Sequence, residues 1–133
     1  MPVVLDACAI IAYLRDEPGA EVVEEALLNE KCFAHALNLC EVYKDCLFRG
    51  EATATADGLL DDLAGVGVIA REDMDAALWK HVAVLKEQIR KIPYADCFAL
   101  AMTERLGGIL YSSDHNDLDR VDAAGGHSIR FIR

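Results

Sequence analysis

The stretch Pro2-Val3-Val4-Leu5-Asp6-Ala7-Cys8-Ala9-Ile10-Ile11-Ala12-Tyr13-Leu14 reads as a short run of β-formers, then an aspartate, then an apolar segment of helical character. The turn Asp16-Glu17-Pro18-Gly19 closes the unit. A similar order returns near the other end, where Ile109-Leu110-Tyr111-Ser112-Ser113 leads into Asp114 and a short helix over 118–124. A strand that ends in an acid and gives way to a helix is the building unit of a parallel sheet with helical crossovers.

Between these two units the same alternation continues. Residues 20–29 place Val22, Val23, Ala26 and Leu27 at helical spacing with glutamates between them. Residues 32–36 are the next strand, and Asn38 stands where the cap of a helix over 39–49 is expected. Gly50 breaks that helix, a further helix covers 51–64, and Gly65-Val66-Gly67 ends it. A weak strand over 68–70 precedes a long helix over 73–89, with Asp73 at its positive end. Pro93 opens a helix reaching about residue 106, Gly107-Gly108 stops it, and the last strand covers 128–132. The pattern predicts a three-layer α/β/α sandwich with a central parallel sheet of about five strands. With 133 residues and 53% hydrophobic content, the chain suits one domain over 1–133.

Four acids occupy comparable places in this pattern. Asp6 and Asp114 follow strands directly, Glu41 belongs to the first turn of the helix after the second strand, and Asp96 to the first turn of the Pro93 helix. In open parallel sheets the ligand site lies beyond the carboxyl ends of the strands, so all four are expected at one rim. Asp117, three residues after Asp114, is a candidate fifth ligand. Carboxylates desolvated together repel and take up protons unless a cation lies among them, which points to a hard divalent ion such as Mg²⁺ or Mn²⁺. The reaction such an ion most often serves is phosphoryl transfer.

Other features narrow the function. The net charge of −10 argues against a protein that coats nucleic acid without selectivity, but it allows an enzyme with one local basic patch. Candidate phosphate contacts are Arg15, Lys44, Lys86, Arg90 and Lys91, with Lys86 and Arg90 expected on one helix face. Cys8, Cys32, Cys40, Cys46 and Cys97 include no Cys-x-x-Cys pair, and each has apolar neighbours, so reduced, buried thiols are expected. No apolar run is long enough to cross a bilayer and no signal-like start is present, so a cytosolic protein is expected. His115 reads as a surface loop residue. Trp79, Tyr13, Tyr43 and Phe98 read as core or interface aromatics.

Taken in order, Leu5-Asp6-Ala7-Cys8-Ala9-Ile10-Ile11-Ala12-Tyr13-Leu14, the turn Asp16-Glu17-Pro18-Gly19, internal Glu41, Ala95-Asp96 and Ser112-Ser113-Asp114-His115-Asn116-Asp117-Leu118 resemble the PIN domain family, particularly its VapC-type toxin ribonucleases. The resemblance implies that Asp6, Glu41, Asp96 and Asp114 bind Mg²⁺ or Mn²⁺, supported by Asp117. It implies an RNA substrate, a cognate antitoxin and a homodimer, and Leu47, Phe48, Leu59, Leu60 and Leu63 are candidates either for lining the antitoxin groove or for ordinary core. The family usually carries a hydroxyl two places after its first aspartate, where this chain has Cys8, a poorer hydrogen-bonding partner. Other classes fit less well. A phosphate-accepting receiver domain needs paired early acids and a late lysine, and a haloacid-dehalogenase-type phosphatase needs an aspartate at position 8. The remaining alternative is a PIN-fold RNA- or protein-binding module with little or no nuclease activity.

Overall fold

The computed structural model describes residues 1–133. β1 (Val3–Leu5) leads into α1 (Ala7–Leu14) and α2 (Ala20–Asn29), and β2 (Cys32–His35) into α3 (Ala36–Phe48) and α4 (Thr53–Gly65). β3 (Val68–Arg71) is followed by α5 (Ala76–Gln88) and α6 (Tyr94–Leu106), and β4 (Ile109–Ser112) by α7 (His115–Ala124) and β5 (Ile129–Phe131). The five strands form one sheet in the order β3-β2-β1-β4-β5, every neighbouring pair parallel. This is the expected α/β/α sandwich.

Strand alternation explains the two covered faces. Val3 and Leu5 point into a core shared with Ala9, Ile10, Val23 and Val42, while Val4 between them points into a second core with Phe98, Leu100, Met102 and Leu118. Leu110 and Tyr111 divide between the same two cores. No helix is long and apolar enough to cross a membrane. The chain builds outward from β1 to β2 and β3, then returns to the other side of β1 for β4 and β5. The reversal falls between β1 and β4, where a crevice opens at the carboxyl edge of such a sheet. Gly107 ends α6 in the left-handed region at φ 63°, and a Cβ on Gly108 would collide with the Pro2 carbonyl, against which β4 begins.

Several boundaries differ from expectation for identifiable reasons. The helix expected from residue 73 starts at Ala76, because the Asp73 carboxylate is held by Arg71 at 2.8 Å and Arg105 at 3.0 Å, leaving Asp75 as the cap residue. α3 starts three residues earlier than expected: His35 caps it by accepting from the Leu37 N–H at 3.1 Å, and Asn38 lies buried inside the helix. Glu41 therefore belongs to the second turn, not the first. α7 begins at His115, which is thus a helix residue, stacked on Phe131 with ring centroids 4.2 Å apart and bonded to Asp119 and the Arg133 carbonyl. Cys32, Cys46 and Cys97 are buried thiols, whereas Cys8 is half-buried and Cys40 is exposed. Leu63 is core, not groove lining. Trp79 is half exposed and Phe98 buried.

Candidate metal centre

Each acid at the carboxyl edge is placed by the local chemistry of a helix start. Asp6 caps α1, its Oδ1 accepting from the Ala9 N–H at 2.9 Å. Asp114 caps α7 in the same way, with Oδ1 accepting from the Asp117 N–H at 3.0 Å, and its own N–H donates to Ser112 Oγ at 2.9 Å. Asp96 is the third residue of α6. Three helix N-termini thus carry the acids, and a helix N-terminus favours negative charge nearby. The Asp6 N–H also bonds to the Tyr111 carbonyl at 3.3 Å, tying the end of β1 to β4 where the reversal opens the crevice.

Asn38 joins two of these helices. Its Oδ1 accepts from the Ala7 N–H at 3.3 Å, and its Nδ2 donates to the Ala95 carbonyl at 3.3 Å. One fully buried amide in α3 therefore fixes the backbone beside both Asp6 and Asp96. Its sequence position predicts only a cap, because its partners are distant in the chain and α3 starts three residues before the expected position.

Asp96, Asp114 and Asp117 each offer an oxygen within 4.8 Å of the others. Asp117, the candidate fifth ligand, is thus one of the three. Asp6 and Glu41 border that group and act on it through their charges. Burial, reinforced by Asp6, Asp114, Asp117 and Glu41, pushes Asp96 up to about 8. Burial likewise raises Asp6 to about 7, against the nearby Ser112 hydroxyl and the Ala9 N–H, which favour its charged form. Burial also raises Glu41, opposed by neighbouring Lys44, and burial with Asp114 raises Asp117. Cys8 lies among the same carboxylates, and its thiol is pushed up to about 12 by burial and then by their charge.

The Oδ2 atoms of Asp6 and Asp96 are buried and have no hydrogen-bond partner, although the two residues are only 2% and 8% exposed. Two orphaned carboxylate oxygens at the edge of an all-oxygen acidic group fit a hard divalent cation, which would supply the missing partner. Ser112, fully buried, supplies a hydroxyl beside Asp6 where Cys8 does not.

The expected basic residues separate into two groups. Arg15 is held by Glu51 at 2.6 Å, and Lys86 closes the end of α5 by donating to the Arg90 and Ile92 carbonyls at 3.2 and 2.5 Å. Arg90 lies beyond the end of α5 and pairs with Glu87 at 3.0 Å. Lys44, over the Phe48 ring at 5.2 Å, and Lys91 are exposed and make no ion pair. Arg120, which no sequence pattern singles out, is exposed on α7 one turn beyond Asp117, and its charge opposes the rise of the Asp117 pKa.

A doubly covered parallel sheet with acids clustered at its carboxyl edge, beside the switch point, defines the class of α/β protein to which this chain belongs. Within that class the chain belongs to the PIN domain family, whose pattern it matches over residues 3–124. Similar solved structures include VapBC2 from Rickettsia felis bound to a promoter DNA fragment, 11% identical over 98% of both chains with a TM-score of 0.75. VapBC-1 from nontypeable Haemophilus influenzae is 19% identical over 99% of this chain and 98% of that one, with a TM-score of 0.71. The Mycobacterium tuberculosis VapC20 toxin, described as cleaving the sarcin-ricin loop, is 14% identical over 92% and 95%, with a TM-score of 0.68. No curated protein matches the chain in sequence.

Proposed function

We propose that this protein is a metal-dependent endoribonuclease that hydrolyses RNA phosphodiester bonds and acts as the VapC-type toxin of a toxin–antitoxin pair. The observation that carries the reading is the pair of buried, unpartnered oxygens on Asp6 and Asp96 beside the Asp96-Asp114-Asp117 group. Asp6, Asp96, Asp114 and Asp117 would hold Mg²⁺ or Mn²⁺, with Glu41 completing the set. When bound, such an ion offsets the charge of the phosphodiester and makes water more acidic. Glu41 is half-buried at the rim, and its raised pKa suits it to position a water and accept its proton. Lys44, close enough to lower the Glu41 pKa, would meet a phosphate in this reading.

The whole chain acts in this reading as one domain, in the cytoplasm, as a homodimer. The antitoxin would lie on the apolar surface between α3 and α4, formed by Leu39, Tyr43, Leu47 and Leu60 with Phe48 81% exposed beside it. Support for this partner comes from the VapBC complexes among the similar structures.

The test is incubation of a mixed RNA pool with purified protein, Mg²⁺ or Mn²⁺, with and without EDTA, beside an Asp6→Asn/Asp96→Asn variant. Metal-dependent cutting that the variant lacks is expected. Metal binding without cutting of any RNA would instead favour the PIN-fold binding module, to which Cys8 amid the carboxylates lends support.

A further inference from the structure

We propose that the cleft between the α5–α6 connection and α7 binds the phosphodiester backbone of a single RNA strand next to the acidic centre. This rests on the RNA-cleaving reading and adds the path by which the strand reaches it. The cleft has a volume of about 550 Å³. Gln88, Arg90 and Lys91 form one wall, Arg120 and His127 the other, and Val121 contributes to an apolar part. No Asp or Glu lines it, in a chain with 23 acids and 13 lysines and arginines.

Such a concentration of positive charge runs against the balance of the whole molecule. Lys91 and Arg120 are exposed and have no carboxylate partner, so their charge is available to an anion. Arg90 is held only by exposed Glu87, a pair that a phosphate can replace at little cost. The nearest acid beside His127 is Glu104, 3.3 Å away and outside the lining.

Both walls lead to the acids. Arg120 is one turn beyond Asp117, about 4.5 Å along the helix axis. Lys91 lies two residues before Pro93, the cap of the helix that carries Asp96. A strand lying in the cleft has its phosphates on Lys91 and Arg120 and passes directly to the Asp96-Asp114-Asp117 group. The apolar part accepts sugar or base edges without selecting among them.

The experiment measures binding of a short fluorescein-labelled single-stranded RNA by anisotropy across a salt series, in EDTA so that the strand stays intact. Each lost phosphate contact lowers the slope of log affinity against log salt by about 0.7. The Lys91→Gln/Arg120→Gln variant is expected to lose about 1.4 of slope and to bind more weakly. In the metal-loaded cleavage assay it is expected to raise KM with kcat little changed. Lys31→Gln/Lys80→Gln removes the same charge elsewhere on the surface and is expected to leave the slope as in wild type. Equal slopes for wild type and the cleft variant, an equal loss in the control variant, or tighter binding of an acidic peptide than of RNA to the cleft would overturn the proposal. Loss of slope in the cleft variant without cleavage by wild type would remove the nuclease reading and leave the cleft standing. Cleavage by wild type with unchanged slope would do the reverse.

Discussion

Replacing a proposed metal ligand should stabilise this protein when metal is withheld. Asp96 is 8% exposed, its Oδ2 has no partner, and its carboxyl is raised from an ordinary 3.8 to about 8 by burial and by Asp6, Asp114, Asp117 and Glu41. At pH 7 the folded protein must therefore hold a proton that the unfolded chain has released. At about 1.4 kcal/mol per tenfold, that costs at most roughly 4 kcal/mol relative to acidic conditions. Asp96→Asn keeps the shape, removes this cost and supplies an N–H₂ that can donate to the neighbouring carboxylates. We expect it to gain between about 1 and 4 kcal/mol at pH 7 in EDTA, or about 3–5 °C in melting temperature per kcal/mol. Near pH 4 the gain should shrink to about 0.6 kcal/mol, since the folded carboxyl is then protonated and the unfolded one is only a little more than half ionised. Saturating Mg²⁺ should narrow or reverse the order, because a hundredfold excess over Kd stabilises only the form that binds, by about 2.7 kcal/mol. Thermal melts at both pH values, with and without metal, decide the matter. A variant no more stable than wild type at pH 7 in EDTA, or equally stabilised at pH 4, would refute the reasoning.

Three other outcomes follow from the same structure. The metal-free protein should lose stability as pH rises from about 4 to about 8, because Asp6 and Asp96 bind protons more tightly folded than unfolded; chemical denaturation at several pH values measures this, and a rise in stability over that range would count against buried, clustered acids. Asn38→Leu should cost roughly 1–3 kcal/mol by orphaning the Ala7 N–H and the Ala95 carbonyl, and should weaken Mn²⁺ binding without removing a ligand; unchanged metal affinity in a destabilised variant would reduce Asn38 to a packing role. Gly108→Ala should cost about 1–3 kcal/mol in denaturant unfolding, since the new Cβ meets the Pro2 carbonyl and β1 must shift from β4; a neutral result would mean that this junction gives freely.

The sheet was legible because each strand carries its own local signal and each acid after a strand marks the same edge. Asp6 and Asp114 could be placed from sequence alone, since a residue that follows a parallel strand has only one edge at which to lie. Glu41 and Asp96 needed helix starts, which are set by side chains that the sequence does not pair. His35 displaced Asn38 as the cap because its ring reaches the Leu37 N–H, and that moved Glu41 back a turn. Asp73 was drawn out of a helix start by Arg71 and by Arg105, thirty-two residues away. Long-range partners of this kind also account for Asn38, held by Ala7 and Ala95, and for Arg15, held by Glu51, whereas Lys86 is drawn to the nearby Arg90 and Ile92 carbonyls at the end of α5. Arg120 escaped notice because, in sequence, it is one basic residue among the acids of α7; only the fold sets it opposite Lys91 across a cleft.

The most direct test of the central claim, that the acids at the carboxyl edge form one metal site, is calorimetric titration of Mn²⁺ at pH 7 in buffers of different ionisation enthalpy. Because Asp6 and Asp96 are raised to about 7 and about 8, wild type should bind saturably and release roughly one to two protons per ion, and Asp96→Asn should bind far more weakly. Binding without proton release, or binding by Asp96→Asn indistinguishable from wild type, would place the metal elsewhere and contradict the assignment.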